Sequence, residues 1–312
     1  MMTKYSDKKT GNQEVSKFTD KHLMPKSQQR FCECGDWIDF FADREVSKLK
    51  VYQANFCKNR FCPMCAWRLA HKDALKISVL MDYIEAEHGM AFIFVTLTAP
   101  NVRAENLRDE ITRYNKAFKR LVERDEVAKI NRGYIRKIEV TYNQERDDYH
   151  PHFHCVFAVN PSYFKKGDYI KQDRWLDLWR DVMRDNSITQ VDVRRVKKNI
   201  GGADGRDKAI SELAKYAAKD KDFAISQEVF DVFYTALKGR QFITFNGLFA
   251  EANKLYKDKK LEHYKTLDTT EYVWLLLYRW GASGYTEERR GEIDPAEYTQ
   301  LKKDAVDEMA IG

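Results

Sequence analysis

The amino-acid sequence predicts an α+β protein built on a ferredoxin-like, split βαβ antiparallel sheet with an open catalytic face. Three observations carry that expectation. Strand-like and helix-like hydrophobic periods alternate in the order β-α-β-β-α-β, followed by a helix. The chain has 312 residues, 43% of them hydrophobic, so it can bury a substantial core. Three of its seven histidines fall within five residues of one strand-like segment, all at the same parity.

Residues Met1 to about Gln29 are polar and read as a disordered tail (1–29). A cysteine-rich region follows (30–71). Ile77, Leu80, Met81 and Ile84 then repeat at helical spacing. Ala91–Thr98 is β-rich and stops at Ala99-Pro100. Leu107, Ile111, Tyr114, Phe118 and Leu121 describe an amphipathic helix. Tyr134–Tyr142 and His152–Val159 read as two strands joined by the polar turn Asn143–Tyr149. Trp175, Leu178, Trp179 and Val182 mark another helix, and Gln190–Val196 alternates as a strand. A loop with Gly201, Gly202 and Gly205 leads into a helix over about Asp207–Lys221. Helices on one face of such a sheet leave the other available for a ligand. This core spans 72–225. The rest, 226–312, reads as a helical C-terminal region, with a possible helix over Glu271–Tyr278.

Composition narrows the function. Lys and Arg number 54 against 48 Asp and Glu, a net charge of +6, which is compatible with a nucleic-acid partner without establishing one. No apolar run approaches the roughly 20 residues that span a bilayer, and the start lacks the apolar stretch of a signal peptide. The expectation is a cytoplasmic protein with no membrane partner. In a reducing compartment, clustered cysteines serve as metal ligands rather than disulfides.

On a strand, His150, His152 and His154 point to one face, and Phe153, Cys155, Phe157 and Val159 to the other. On the preceding strand Ile138, Val140 and Tyr142 take the apolar face, so Glu139 joins the histidines across the hairpin. A carboxylate with two or three imidazoles suits a catalytic Mn²⁺ or Mg²⁺, with Mn²⁺ better matched to nitrogen. The bland alternative is a solvated polar strand face. Further on, Glu212, Tyr216 and Lys219 share one helical face, with Ile210, Leu213 and Ala217 anchoring the other. A tyrosine over the open sheet face can act as a nucleophile if a metal or cation assists its phenol. Alone, the stripe is ordinary helix surface.

Cys57, Cys62 and Cys65 have the spacing of a metal knuckle, and Cys34 or Cys32 upstream completes a four-cysteine structural Zn²⁺ set. Cys34 is preferred because Gly35 permits a tight turn, and His71 is a weaker substitute. Lys58, Arg60 and Arg68, beside Trp67, are candidates for DNA contact because cations meet phosphates and aromatics stack on bases. Arg194, Arg195, Lys197 and Lys198 are further basic candidates.

Together the motifs resemble those of rolling-circle replication initiators of bacterial plasmids, within the HUH endonuclease superfamily. The resemblance runs from about Cys34 to Lys219: Val95-Thr96-Leu97-Thr98, then His150-Pro151-His152-Phe153-His154, then Tyr216-Ala217-Ala218-Lys219, behind Cys-x4-Cys-Pro-x-Cys. It implies that Tyr216 attacks one DNA strand at a replication origin, where the nick site is single-stranded or extruded. The products are a 5′-phosphotyrosine and a 3′-OH primer. Glu212 stands where some members carry a second tyrosine, and implies water activation in termination. A host helicase and DNA polymerase are implied as partners. Two rivals remain. One is a single-strand transposase or relaxase of the same superfamily, although mating relaxases place their tyrosine before the histidines. The other is a non-catalytic zinc-bearing DNA-binding regulator.

Overall fold

The computed structural model describes residues 2–165, 167–197, 206–215, 218, 220–282 and 284–294. The chain divides into two compact units, Met1–Lys72 with Thr266–Gly312, and Asp73–Lys265. The fold is α+β, as the hydrophobic periods predict, and contains two antiparallel sheets, one more than those periods describe.

The first unit opens with helix α1 (Met2–Ser16) and helix α2 (Pro25–Cys32), which starts on a proline whose missing N–H costs nothing in a first turn. Strands β1 (Trp37–Ala42) and β2 (Leu49–Ala54) follow, then α3 (Pro63–His88). The expected disordered tail is therefore corrected: α1 is helical and buries Tyr5, Lys9, Asn12 and Val15. Only two of those four are apolar, so hydropathy gives no sign of the buried stripe. Tyr5 stands edge-on to Phe40 at 5.3 Å and Trp67 at 4.9 Å, while the two polar members find hydrogen-bond partners inside the unit.

In the second unit β3 (Ala91–Thr98), α4 (Leu107–Val122), α5 (Asp125–Ile130), β4 (Gly133–Asn143), β5 (Asp148–Val159), α6 (Gln172–Met183) and β6 (Val191–Val196) follow the expected alternation. Beyond them come α7 (Arg206–Ala214), α8 (Asp220–Phe223), α9 (Gln227–Leu237), β7 (Ile243–Gly247) and α10 (Leu248–Lys257). The sheet order is β6-β3-β5-β4-β7. Its first four members have the split βαβ order, and β7 adds a fifth strand beside β4. That addition needs two glycines: Gly133 and Gly247 cross so closely that a Cβ on Gly247 would lie 2.5 Å from the Arg132 carbonyl oxygen.

One face of this sheet packs on α4 and α6, where Phe153 meets Tyr114 and Phe118 at 5.4 and 5.7 Å and Phe157 meets Trp175 at 5.8 Å. The other face, expected to be open, is shared. Phe92, Phe94, Ile135, Val156 and Ala158 lie in an apolar cluster with Leu80 and Ile84 of α3, Ile210 and Leu213 of α7 and Phe249 of α10. The histidines occupy the rest of that face.

Residues 226–312 are divided between the two units. α9 and α10 are helical as expected, but the helix expected over Glu271–Tyr278 is a strand. β8 (Trp274–Gly281) pairs with β1 and with β9 (Gly284–Glu292), giving the order β2-β1-β8-β9 in the first unit. Leu276 is fully buried opposite Phe40. A short apolar run fits either element, and here strand pairing decides. Among the described residues no helix is long and apolar enough to cross a membrane.

Candidate metal centres and their surroundings

The β4–β5 register places Glu139 directly opposite His152 and Lys137 opposite His154. Because both strands alternate, the Glu139, His152 and His154 side chains converge on one face, and their ligand atoms all lie within 4.8 Å of one another. Glu139 Oε2 lies 3.2 Å from His152 Nε2 and 3.0 Å from His154 Nε2. Burial alone would raise the Glu139 carboxyl, but its hydrogen bonds to the two imidazoles prevail and hold it well below the usual carboxylate range.

The imidazoles are oriented from behind. His152 Nδ1 lies 3.3 Å from the His150 carbonyl oxygen, and His154 Nδ1 lies 3.3 Å from Thr96 Oγ1. When Nδ1–H of a neutral His152 donates to that carbonyl, Nε2 turns a lone pair toward the carboxylate. Two facing acceptors need a cation or a proton between them. An ion held by two histidines and one carboxylate keeps open coordination positions, the donor set that suits Mn²⁺ or Mg²⁺. His150 falls outside this set: its Nε2 bonds Thr98 Oγ1, and burial with the neighbouring His152 pushes its pKa down to about 4.

Helix α7 brings a second carboxylate to the cluster. Glu212 Oε2 lies 3.8 Å from His154 Nε2, and its Oε1 accepts from Lys215. Tyr216, Lys219 and Lys198 lie outside the described residues. Beside Glu212 a cleft of roughly 190 Å³ is lined by Phe94, Arg194, Arg195, Val196, Lys208 and Ala209. Phe94 stacks on His154 at 5.6 Å, linking the cleft to the cluster. Arg194 and Arg195 diverge, as neighbours on a strand must. Arg194 sits over Phe94 at 5.2 Å, steadied by Asp192 at 2.8 Å, whereas Arg195 sits over Phe164 at 4.2 Å. Lys197 is exposed just past β6. Sequence reasoning missed Lys208, whose position in the first turn of α7 became meaningful only when that helix packed beside β6.

In the first unit Cys34, Cys57, Cys62 and Cys65 form a second cluster. Cys34 Sγ lies 3.5 Å from the Cys62 and Cys65 sulfurs, and Cys57 Sγ lies 3.6 Å from Cys65. Four thiolates on a tetrahedral zinc at about 2.3 Å would stand about 3.8 Å apart, so the set fits that ion. Hydrogen bonds from Cys34, Cys57 and Cys62 drive Cys65 toward thiolate, while burial and neighbouring sulfurs push Cys62 up. A divalent cation is the partner that lets all four ionise.

Gly35 takes a φ of +77°, allowing the turn after Cys34. Cys32 is exposed and outside the cluster, and the His71 ring packs edge-on to Trp67 at 5.3 Å. Lys58 and Arg60 are exposed, but Arg68 lies 3.7 Å over the Phe56 ring, half-buried in its own unit.

A ferredoxin-like sheet bearing an open N,N,O cluster, in a chain that also carries a closed four-sulfur cluster, defines the class: an α+β protein with two groups of side chains that could each hold a metal ion. Comparison with known proteins supplies the family. A family model described as "Replication protein" matches residues 48–286. A "Protein rep" of Staphylococcus aureus is 47% identical over 227 residues, covering 72% of this chain and 96% of that protein. "Protein rep" relatives from Bacillus amyloliquefaciens and Streptococcus pneumoniae are 37% and 35% identical. They cover 73% and 78% of this chain, and 73% and 76% of their own length. No solved structure matches. The chain belongs to the Rep family of replication proteins, as its resemblance to plasmid rolling-circle initiators implied.

Proposed function

We propose that this replication initiator is a metal-dependent endonuclease and strand transferase that nicks one DNA strand at a plasmid origin. The observation that carries the reading is the Glu139, His152 and His154 cluster with Glu212 reaching to 3.8 Å of His154. Mn²⁺ or Mg²⁺ bound there supplies Lewis-acid polarisation of a phosphate.

The residues divide the remaining work. Glu139, His152 and His154 hold the ion, and Thr96 fixes the His154 ring from its far nitrogen. The Tyr216 phenol oxygen attacks the scissile phosphorus. The P–O3′ bond breaks, the phenolic proton is lost to solvent, the leaving O3′ takes a proton from solvent, and the products are a 5′-phosphotyrosine and a 3′-OH. The 3′-OH primes a host polymerase behind a host helicase. Lys219 offsets charge developing on the phosphate. In termination Glu212 takes a proton from water, which hydrolyses the regenerated junction. An unpaired strand suits the site because the scissile phosphate must reach the cluster on the sheet face. Arg194 and Lys208 supply cations to the flanking backbone.

The test is nicking of a supercoiled plasmid carrying the origin, with Mn²⁺ or Mg²⁺ against chelator. Wild type should nick and become covalently attached at a 5′ end. Tyr216→Phe should bind DNA but neither nick nor attach. Glu212→Gln should nick normally yet yield products longer than one unit. Metal-independent nicking, or unimpaired nicking by Tyr216→Phe, would remove this reading.

A further inference from the structure

Each sulfur of the four-cysteine cluster receives an N–H donor. Three donors are backbone amides of one loop: Cys57 N to Cys34 Sγ at 3.3 Å, Lys58 N to Cys65 Sγ at 3.2 Å, and Asn59 N to Cys57 Sγ at 3.4 Å. The fourth comes from elsewhere. Asn12 Nδ2, on α1, donates to Cys62 Sγ at 3.3 Å and to the Phe31 carbonyl oxygen at 3.0 Å. One turn earlier the buried Lys9 ammonium donates to the Cys32 and Cys34 carbonyl oxygens at 2.9 and 3.0 Å and pairs with Asp36 at 2.6 Å. Both polar side chains are at most 1% exposed.

A divalent ion with four thiolates carries two negative charges, and a buried anion needs donors and a compensating cation. Helix α1 supplies one of those donors, Asn12. It also lies before the residues that the family model matches, 48–286. Its own apolar contribution is small, Tyr5 and Val15, so α1 is held by polar contacts: Lys9 to Asp36 and to the carbonyls flanking the cluster, and Asn12 to the Cys62 sulfur itself.

We propose that α1 is the outer shell of the metal centre. Asn12 is a positioning residue for the Cys62 thiolate, Lys9 ties α1 to the backbone that carries Cys34, and metal occupancy and docking of α1 form one equilibrium. The proposal rests on reading the four cysteines as a zinc site and is independent of the nicking chemistry.

The experiment uses full-length protein and follows zinc release to a colorimetric chelator. Asn12→Asp keeps the side-chain shape and replaces the donor with an acceptor. It should weaken zinc retention 10- to 100-fold. It should also shift the thiolate-to-metal charge-transfer band of the Co²⁺-substituted protein, which a purely packing role would not do. Gln29→Ala removes an exposed hydrogen bond to Glu33 that touches neither α1 nor a ligand cysteine, and should leave both readouts unchanged. On wild type, stripping the metal should abolish hydrogen-exchange protection of α1 amides while those of α4 keep theirs. That arm decides the matter even where Asn12→Asp fails to fold. Wild-type release and an unshifted band in Asn12→Asp, or α1 amides still protected after stripping, overturn the proposal. Purified wild type free of metal overturns the zinc reading with it.

Discussion

The two clusters of ligand-type side chains in this protein are built from opposite materials, four sulfurs in one and two imidazoles with a carboxylate in the other. The four-cysteine cluster uses its sulfurs completely: four ligands close a tetrahedron and each accepts an N–H. The Glu139, His152 and His154 cluster supplies only three ligand atoms and would leave positions free on an ion that prefers six. The closed site is tied into its unit by a loop and a helix. The open site stands on the middle strands of a sheet, a rigid platform, and adds a carboxylate from α7 within 3.8 Å. On the proposed reading the saturated cluster would hold the fold and the one left short would do the chemistry.

The sharpest way to break this comparison is to remove a ligand from the open cluster. Glu139→Ala should lower nicking by on the order of 10⁴-fold, as loss of one member of a cooperating catalytic set does. Zinc content and far-ultraviolet circular dichroism should stay unchanged. Loss of zinc from this variant would show that the two centres are not independent. Next in size is the closed cluster. Cys62→Ser should lose zinc and unfold the first unit, since structural zinc contributes about 10 kcal/mol in small domains. Cys32→Ser and Cys155→Ser should retain one zinc by elemental analysis. A normal melting curve for Cys62→Ser would remove the structural role.

A smaller effect tests the reactive face. Arg194→Ala should weaken single-stranded DNA binding by about 1–2 kcal/mol, or roughly tenfold, and flatten its salt dependence. Arg195→Ala, whose guanidinium lies over Phe164, should change it less than twofold. Equal losses in a titration across salt concentrations would sink the distinction. Smallest is a pH effect on the first unit. Burial would raise the Asp268 carboxyl, but hydrogen bonds from Lys50, Thr270 and Tyr272 bring it down to about 2. A carboxyl lowered on folding adds stability that is complete above its unfolded pKa of about 4 and is lost as pH falls toward 2. Asp268→Asn should therefore cost about 1–2 kcal/mol near neutrality and progressively less as pH falls through about 2, by thermal melting across pH.

Much of the Glu139, His152 and His154 cluster was legible because strand parity is a local rule. Glu139 and the histidines were assigned to one face by counting residues in twos, and the observed register sets Glu139 opposite His152. Cysteine spacing pointed to the other centre for the same reason: Cys62 and Cys65 sit one turn apart at the start of α3. Lys9 and Asn12 were invisible because their burial depends on a partner some 20 to 50 residues away, and polar residues at helical spacing look like solvated surface. Glu271–Tyr278 misled for a related reason, since its apolar run fits either a helix or a strand paired with β1.

The sequence by itself determined the α+β alternation, the ligand types and their parity, because side-chain direction follows from backbone period alone. Tertiary structure decided what lies across from what. It roofed half of the histidine face with α3, α7 and α10, sent β8 and β9 back to the cysteine unit, chose Cys34 over Cys32, and brought Asn12 to the Cys62 sulfur. Those outcomes depend on burying groups distant in the chain against one another, and no local period encodes which distant partner will satisfy a buried charge or hydrogen bond.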